Sequence, residues 1–351
     1  MREITYADAI REGFSIALER DPRVMLVGLG VPDPKGFFGT TLDLQQRFGA
    51  DRVLDMPCSE NAMSGVVLGA ALNGLRPVLN HQRLDFALLA MDPICTQAAK
   101  WHYMFGGAKK LPFVVRMIIG RGWGQGPQHS QSLYSWFAHI PGLKVVMPAT
   151  PYDAKGLLIA AIEDDNPVVF LEHRWLHQVK GEVPTGHYTV PIGPARLAIP
   201  GRDVTVVAFS YMVLEAMEAA RKLNALGIQA EVIDARSLRP LDRDLIIASV
   251  SRTGRLVVAD AAWSQAGMSA EVLAVATEGA YGAFKAPPRR VCFPDCPTPT
   301  SPALAAEFYP RSGHIVAAVR ATLGFPADPN DLLVPAGVEL DKPDPAFTGP
   351  F

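Results

Sequence analysis

Disulfide chemistry is set aside first, because the 351 residues hold only four cysteines, at positions 58, 95, 292 and 296. Cys292 and Cys296 enclose Phe-Pro-Asp, but no second Cys or His pair completes a zinc set. Cys58 and Cys95 have apolar neighbours, so the thiols are expected to be free and buried. Excess charge is lacking too. The 33 Lys and Arg against 35 Asp and Glu leave a net charge of -2, which offers no basic field to nucleic acid or to an anionic membrane. No apolar run is long enough to span a bilayer. The opening Met-Arg-Glu-Ile-Thr-Tyr has neither the apolar core of a signal peptide nor the bias of a transit segment, so a soluble, cytoplasmic chain is expected. The Gly-x4-Gly-Lys-Ser/Thr phosphate loop is also absent. What is present is ordinary globular material, 49% hydrophobic and 19% charged, long enough for two domains.

Strand-like and helix-like segments alternate along most of the chain. Thr5 is placed to cap a helix running to about Glu19, and Val24–Val27 and Val53–Met56 read as short buried strands. A Gly- and Ala-rich helix from Ser59 to Leu72 follows, then a strand at Val78–Leu79 and a helical stretch from about Phe86 to Met104, bent at Pro93. Phe113–Ile119 is almost continuously apolar, as in a strand covered on both faces, and it runs into a glycine-rich loop, Gly120 to Ser130. Val145–Met147, a helix at 153–163 and Val168–Leu171 complete this half. Pro and Gly from His173 to Gly201 read as a linker. Alternation then restarts with strands at Val204–Phe209, Ala230–Ile233 and Leu256–Ala259 and helices near 212–226, 242–250 and 268–280. Beyond Gly324 a Pro-rich tail is expected to be disordered or laid on a partner. The pattern gives two α/β domains with parallel sheets.

Ligands of open parallel sheets bind beyond the carboxyl ends of the strands. Three residues fall there: Glu60 in the first turn after the Val53–Met56 strand, Phe86 after Val78–Leu79, and His129 in the glycine-rich loop. Taken alone, Glu60 fits a helix-dipole role as well as chemistry, Phe86 fits a core position, and His129 fits either an acid/base or a backbone-bonded loop histidine. His173 and His177 have helical i,i+4 spacing, but no third ligand is evident to make them a metal site.

Ordered motifs carry the reading further. They include Met56-Pro57 followed by Ser59-Glu60-Asn61, Gly74-Leu-Arg-Pro77, Ala98-Ala-Lys100 with Gly106-Gly107, and Gln128-His-Ser-Gln131. Pro151-Tyr-Asp-Ala-Lys-Gly-Leu157, Asp165-Asn-Pro-Val-Val169 and Thr253-Gly-Arg-Leu-Val-Val258 follow. Through these, residues 3–323 resemble the beta subunit of the decarboxylating component of 2-oxo acid dehydrogenases, in the transketolase-like superfamily. The resemblance implies a doubly wound pyrimidine-binding domain over 1–175, a linker over 176–201, a transketolase C-terminal-like domain over 202–325 and a tail over 326–351. It implies thiamine diphosphate as cofactor. Glu60 matches the glutamate that bonds the aminopyrimidine ring nitrogen and readies the thiazolium carbon to attack a carbonyl. Phe86 matches the aromatic residue stacked on the pyrimidine, Gln82 lines the same pocket, and His129 matches the active-site histidine. Phe113, Ala161, Asp164 and Asn166 match a monovalent-cation (K⁺) site. The Gly-Asp-Gly motif that holds the diphosphate and Mg²⁺ does not occur in this chain. In the family it belongs to an alpha subunit, so an alpha2beta2 heterotetramer is implied, with a lipoyl carrier as a further partner.

There are departures. Gly28-Leu29-Gly30-Val31 stands where the family carries acids of a polar tunnel. Arg83 stands at a position that is usually apolar, near where substrate would sit, and is either a ligand for a carboxylate or phosphate or a solvated side chain. Three functions are therefore compared: oxidative decarboxylation of a 2-oxo acid with acyl transfer to a lipoyl carrier; transketolase-like or carboligating transfer of an acyl or ketol unit onto an aldehyde; and a non-catalytic partner of an alpha subunit.

Overall fold

The structure is a computed structural model, and it describes residues 1–36, 38–121, 125–333 and 339–343. Gly122–Gly124 of the glycine-rich loop and parts of the tail lie outside the described residues.

The first half contains β1 (Arg2–Thr5), β2 (Val24–Gly28), β3 (Val53–Leu54), β4 (Arg76–His81), β5 (Val114–Ile119), β6 (Lys144–Val146), β7 (Val168–His173) and β8 (Lys180–Val183). Its helices are α1 (Tyr6–Arg20), α2 (Leu44–Phe48), α3 (Glu60–Leu72), α4 (Leu84–Ala87), α5 (Ala99–Met104), α6 (Tyr134–His139) and α7 (Pro151–Glu163). The second half contributes β9 (Arg196–Ile199), β10 (Val204–Ala208), β11 (Ala230–Asp234), β12 (Ser237–Arg239), β13 (Leu256–Trp263) and β14 (Arg289–Phe293). Its helices are α8 (Tyr211–Ala225), α9 (Arg243–Thr253), α10 (Met268–Ala280), α11 (Pro302–Phe308) and α12 (Ser312–Thr322). Local chemistry sets several boundaries. The Thr5 hydroxyl accepts the Asp8 amide at 3.1 Å to start α1, and the Thr150 hydroxyl accepts the Asp153 amide at 3.1 Å to start α7 with Pro151 in its first turn. The helical stretch around Pro93 breaks into α4, a 3₁₀ turn, a π-helical segment over Asp92–Ala98 and α5.

The first sheet has the order β12-β6-β7-β5-β4-β2-β3 and the second β14-β13-β10-β11-β9. Pairing is parallel in both, except at the edges β12 and β9. Successive residues of each strand enter opposite faces: Val78, Val114 and Phe170 join one apolar cluster, while Leu79, Val115 and Leu171 join the other. Each cluster runs on into the second half, through Val206 and Val257 on one face and Val207 and Val258 on the other. The two domains thus share their cores. They also share a sheet, because β12 comes from the second half and pairs antiparallel with β6.

Three sequence expectations are corrected. The stretch read as linker is built into the fold: β8 pairs with β1 and β9 edges the second sheet. The thiols are not all buried; Cys58 and Cys296 are exposed and Cys95 and Cys292 half-buried, all four being free. The described part of the tail lies on this chain itself. Arg311 donates to the Leu340, Lys342 and Pro343 carbonyls, and Arg320 pairs with Asp328 and Asp331. Among the described residues no helix is long and apolar enough to cross a membrane.

Buried histidines make stability pH-dependent. Burial pushes His81 down to about 4. It does the same to His173, to about 3, aided by nearby Arg83 and His177. His177 falls to about 4 because burial outweighs the hydrogen bond and charge of Glu172. All three are held below the unfolded value, so between about pH 6.5 and 4 the unfolded chain binds protons that the folded chain refuses, and stability falls as pH falls. Each contributes up to about 1.4 kcal/mol per pH unit in that window. Denaturant midpoints measured from pH 7 to pH 5 should drop steadily, whereas a flat profile would show that these rings are protonated in the folded chain.

Candidate active site

Glu60, Gln82, Phe86 and His129 all follow the carboxyl ends of strands of the first sheet. Glu60 opens α3 after β3, Gln82 and Phe86 follow β4, and His129 lies beyond β5. In the sheet β2 stands between β3 and β4, so the chain leaves β2 toward one side and later continues on the other. Crevices form at such reversals of strand order.

The turns at this edge are tied together. The Asp55 carboxylate accepts the Gly30 amide at 2.9 Å, joining the exits of β2 and β3. Gln82 donates its side-chain amide to the Leu29 carbonyl at 3.1 Å, joining β4 to the same turn. Leu29 itself, where the resemblance leads one to expect an acid, offers that carbonyl and an apolar side chain packed against the core.

Glu60 is 9% exposed, in the first turn of α3. Among the described residues its carboxylate has one polar neighbour, the Cys58 thiol at 3.9 Å, and no cation. A carboxylate withdrawn from water without a counter-charge is costly and calls for a hydrogen-bond donor. An aminopyrimidine ring nitrogen that carries a proton when it meets a carboxylate answers that need, so the residue fits the cofactor. Half-buried Phe86 meets exposed His129 edge to face, with ring centroids 5.3 Å apart and planes at 79°. These two residues, 43 positions apart in sequence, are thereby brought together. A shallow cleft of about 440 Å³ runs beside the segment that carries His129, lined by Gln128 and Gln131 on the first domain and by Trp263, Asp295 and Thr298 on the second; Phe86 and His129 themselves do not line it.

Arg83 is not a solvated side chain. It is 3% exposed, donates to the Gly120 carbonyl and pairs with Asp85 at 3.5 Å. Burial lowers its pKa, against the charge of Asp85. Asp85 in turn accepts the backbone and side-chain N–H groups of Gln131 at 3.2 and 3.0 Å. The pair therefore grips both ends of the segment that carries His129. Gly120 must be glycine: its φ is +80°, and a Cβ there would lie 2.4 Å from the His173 ring.

Sequence reasoning did not find Asp85, nor the Tyr134–Asp260 hydrogen bond that ties α6 to the second domain. Burial raises the Asp260 pKa to about 6, although Tyr134 and the Ser269 amide bond to it. The spacing Arg83-x-Asp85 was the available signal for the first; residues 126 apart left none for the second. His173 and His177 do not share a helix face. His173 ends β7 and stacks on Tyr211, while His177 bonds to Glu172. Of the four residues assigned to a cation, the Phe113 carbonyl accepts the Val168 amide at 3.0 Å, and the Asp164 carboxylate bonds Lys144 and the Asn166 amide. Asn166 Oδ1 is buried with no partner among the described residues, and Ala161 lies in the last turn of α7.

The chain is similar to known proteins over both halves. A family model described as the transketolase pyrimidine binding domain matches residues 2–179, and one described as the transketolase C-terminal domain matches residues 193–315. The beta subunit of acetoin:2,6-dichlorophenolindophenol oxidoreductase from Cupriavidus necator is 43% identical over 332 residues, 92% of this chain and 98% of that protein.

The chain belongs to the beta subunits of the transketolase-like dehydrogenases.

Other beta subunits are similarly related. The 2-oxoisovalerate dehydrogenase beta subunit of Bacillus subtilis is 39% identical over 93% of this chain and all of its own length. The pyruvate dehydrogenase E1 beta subunit of the same organism is 40% identical with the same coverage. A solved structure described as a split gene transketolase, inactive beta4 tetramer, shares the fold with a TM-score of 0.76 at 24% identity, covering 92% of this chain and 99% of that one.

Proposed function

We propose that this beta-type chain activates thiamine diphosphate for the oxidative decarboxylation of a 2-oxo acid, or the cleavage of a related carbonyl compound, with the acyl group passed to a lipoyl carrier. The observation that carries the reading is Glu60, buried at the start of α3 with no counter-charge among the described residues, on the same sheet edge as the Phe86–His129 pair. When bound, the cofactor supplies a nucleophilic carbon and an electron sink. This chain's residues do the rest. Glu60 holds a proton at the pyrimidine ring nitrogen, Phe86 offers the ring a face, Gln82 lines the pocket from the Leu29 turn, and His129 is placed to give or take a proton at the reacting group.

The chain has no Gly-Asp-Gly motif, so an alpha partner carries the diphosphate and Mg²⁺ half, in an alpha2beta2 assembly. A monovalent cation such as K⁺ would be held by Asn166 Oδ1 and the Ala161 and Phe113 carbonyls, sharing Asp164 with Lys144, while the Ile162 and Asp164 carbonyls beside it accept from Arg76. A cytoplasmic setting belongs to the same reading. The burial of Arg83 and its bonds to Gly120 and Asp85 favour this reading over ketol transfer, which would use Arg83 as a substrate clamp.

The test is to purify the chain with its alpha partner and add thiamine diphosphate and Mg²⁺. Reduction of 2,6-dichlorophenolindophenol is then followed with pyruvate, 2-oxoisovalerate and acetoin. Turnover with at least one of them is expected. A complex that binds the cofactor but reduces no dye would point to ketol transfer, and one that binds no cofactor would leave the chain a structural partner.

A further inference from the structure

The His129 segment is held from a second direction, by the C-terminal part of the chain. Arg121 directly follows Gly120 at the segment's root and is 2% exposed. Its guanidinium donates to the Thr300 carbonyl at 3.1 Å and pairs with the Asp341 carboxylate at 3.2 Å. Asp341 is the one anion on Arg121 among the described residues, and the buried Tyr309 hydroxyl also faces its guanidinium. Thr300 also backs the far side of the segment, since a Cβ on Gly126 would lie 2.3 Å from its hydroxyl. Asp341 is itself fixed. The carbonyls of its neighbours Leu340 and Lys342 accept from Arg311 at 3.1 and 2.8 Å, and Arg311 is anchored on Glu215 of α8 at 2.7 Å. The line of contacts therefore runs from α8 through Arg311 to residues 340–343, and from Asp341 to the root of the segment bearing His129. The C-terminal family model ends at residue 315, so Asp341 lies outside the matched domain.

We propose that Arg121 and Asp341 are positioning residues for His129, with residues 339–343 acting as a strap that fixes the active-site segment from the second domain. This rests on the reading of His129 as an active-site residue. The device acts by geometry. A buried guanidinium that loses its carboxylate is left with uncompensated charge and must move toward water, carrying Gly120 and the segment with it. A shift of about 1 Å at a reacting group is enough to cost one to two orders of magnitude in rate.

The experiment uses the chain assembled with its alpha partner and thiamine diphosphate. Asp341→Asn, Asp341→Glu and a chain ending at residue 338 are compared by amide hydrogen exchange and by steady-state kinetics. In Asp341→Asn and the shortened chain, exchange over residues 125–133 should rise roughly tenfold while residues 60–72 stay unchanged. Their kcat should fall about tenfold at nearly constant cofactor affinity. Asp341→Glu, which keeps the charge, should recover most of both. Unaltered exchange over 125–133 in both altered chains would overturn the strap. An equal rise over 60–72 would also overturn it, as a general loss of stability. A parent complex without turnover would refute the proposed function, and the exchange measurement would still decide the strap.

Discussion

Glu60→Gln, in the chain assembled with its alpha partner, should leave assembly intact and lower kcat by about 10²- to 10⁴-fold, the range typical for loss of a positioned proton-transfer group. Shape and volume are nearly conserved by this change, so the neighbouring Cys58 contact and the packing of α3 survive it. What is lost is the negative charge that, in the proposed function, stabilises a proton on the pyrimidine nitrogen. Cofactor affinity should fall far less if, as proposed, an alpha partner holds the diphosphate. The competing role for an acid in the first turn of a helix is to complement the helix dipole, which is worth about 0.3–1 kcal/mol of stability and nothing in turnover. The two roles separate cleanly. If Glu60→Gln keeps more than a tenth of the parental kcat and loses only a little stability, the helix-dipole role stands and the catalytic assignment falls. The readings to take are kcat with the dye acceptor, the elution volume of the complex and its thermal midpoint.

Most of the sheet architecture was legible because parallel strands buried on both faces advertise themselves. Val24–Val27, Val145–Met147 and Val204–Phe209 are short, apolar and β-branched, and they appear as β2, β6 and β10. The helices were legible where a cap met a period, as at Thr5. Contacts formed only between distant segments were not legible. β12 is three residues long, and only the neighbouring β6 gives it a reason to be a strand. β8 and β9 are half-exposed edge strands without an apolar pattern, so they read as linker. At the site, what was legible was position: Glu60 does open α3, and His129 does lie beyond β5. The residues that hold them were not. Arg83 read either as a ligand for an anion or as a solvated side chain, whereas its partners Asp85 and Gly120 lie inside the protein. Asp341 sits in a Pro-rich stretch whose composition gave no hint that it returns to Arg121.

Arg116→Met should cost about 3–5 kcal/mol of stability, the usual consequence of removing one partner of a buried ion pair. Arg116 interrupts the apolar run of β5 and is fully buried, as is Glu172 of β7, to which it is bonded. Asn80 on β4 and Thr40 accept further Arg116 donors at 3.1 and 2.8 Å, and His177 approaches the other oxygen of Glu172 at 3.1 Å. Burial by itself would raise the Glu172 pKa. The Arg116 charge, with the hydrogen bonds of His177 and Arg116, outweighs it and holds the carboxyl at about 2. Because the folded value is depressed, this stabilisation is present above about pH 4.5 and lost as pH falls toward 2. Methionine fills the arginine stem but leaves Glu172 charged, buried and without its cation. The denaturant midpoint at pH 7 should therefore drop sharply, and Glu172 should protonate at a higher pH than in the parent chain. Adding Glu172→Met should restore much of the loss, since two apolar groups of similar volume replace the pair without leaving a charge behind. Equal midpoints for the parent and Arg116→Met chains would mean that water or another cation reaches Glu172, and that this cluster does not hold the centre of the first sheet together.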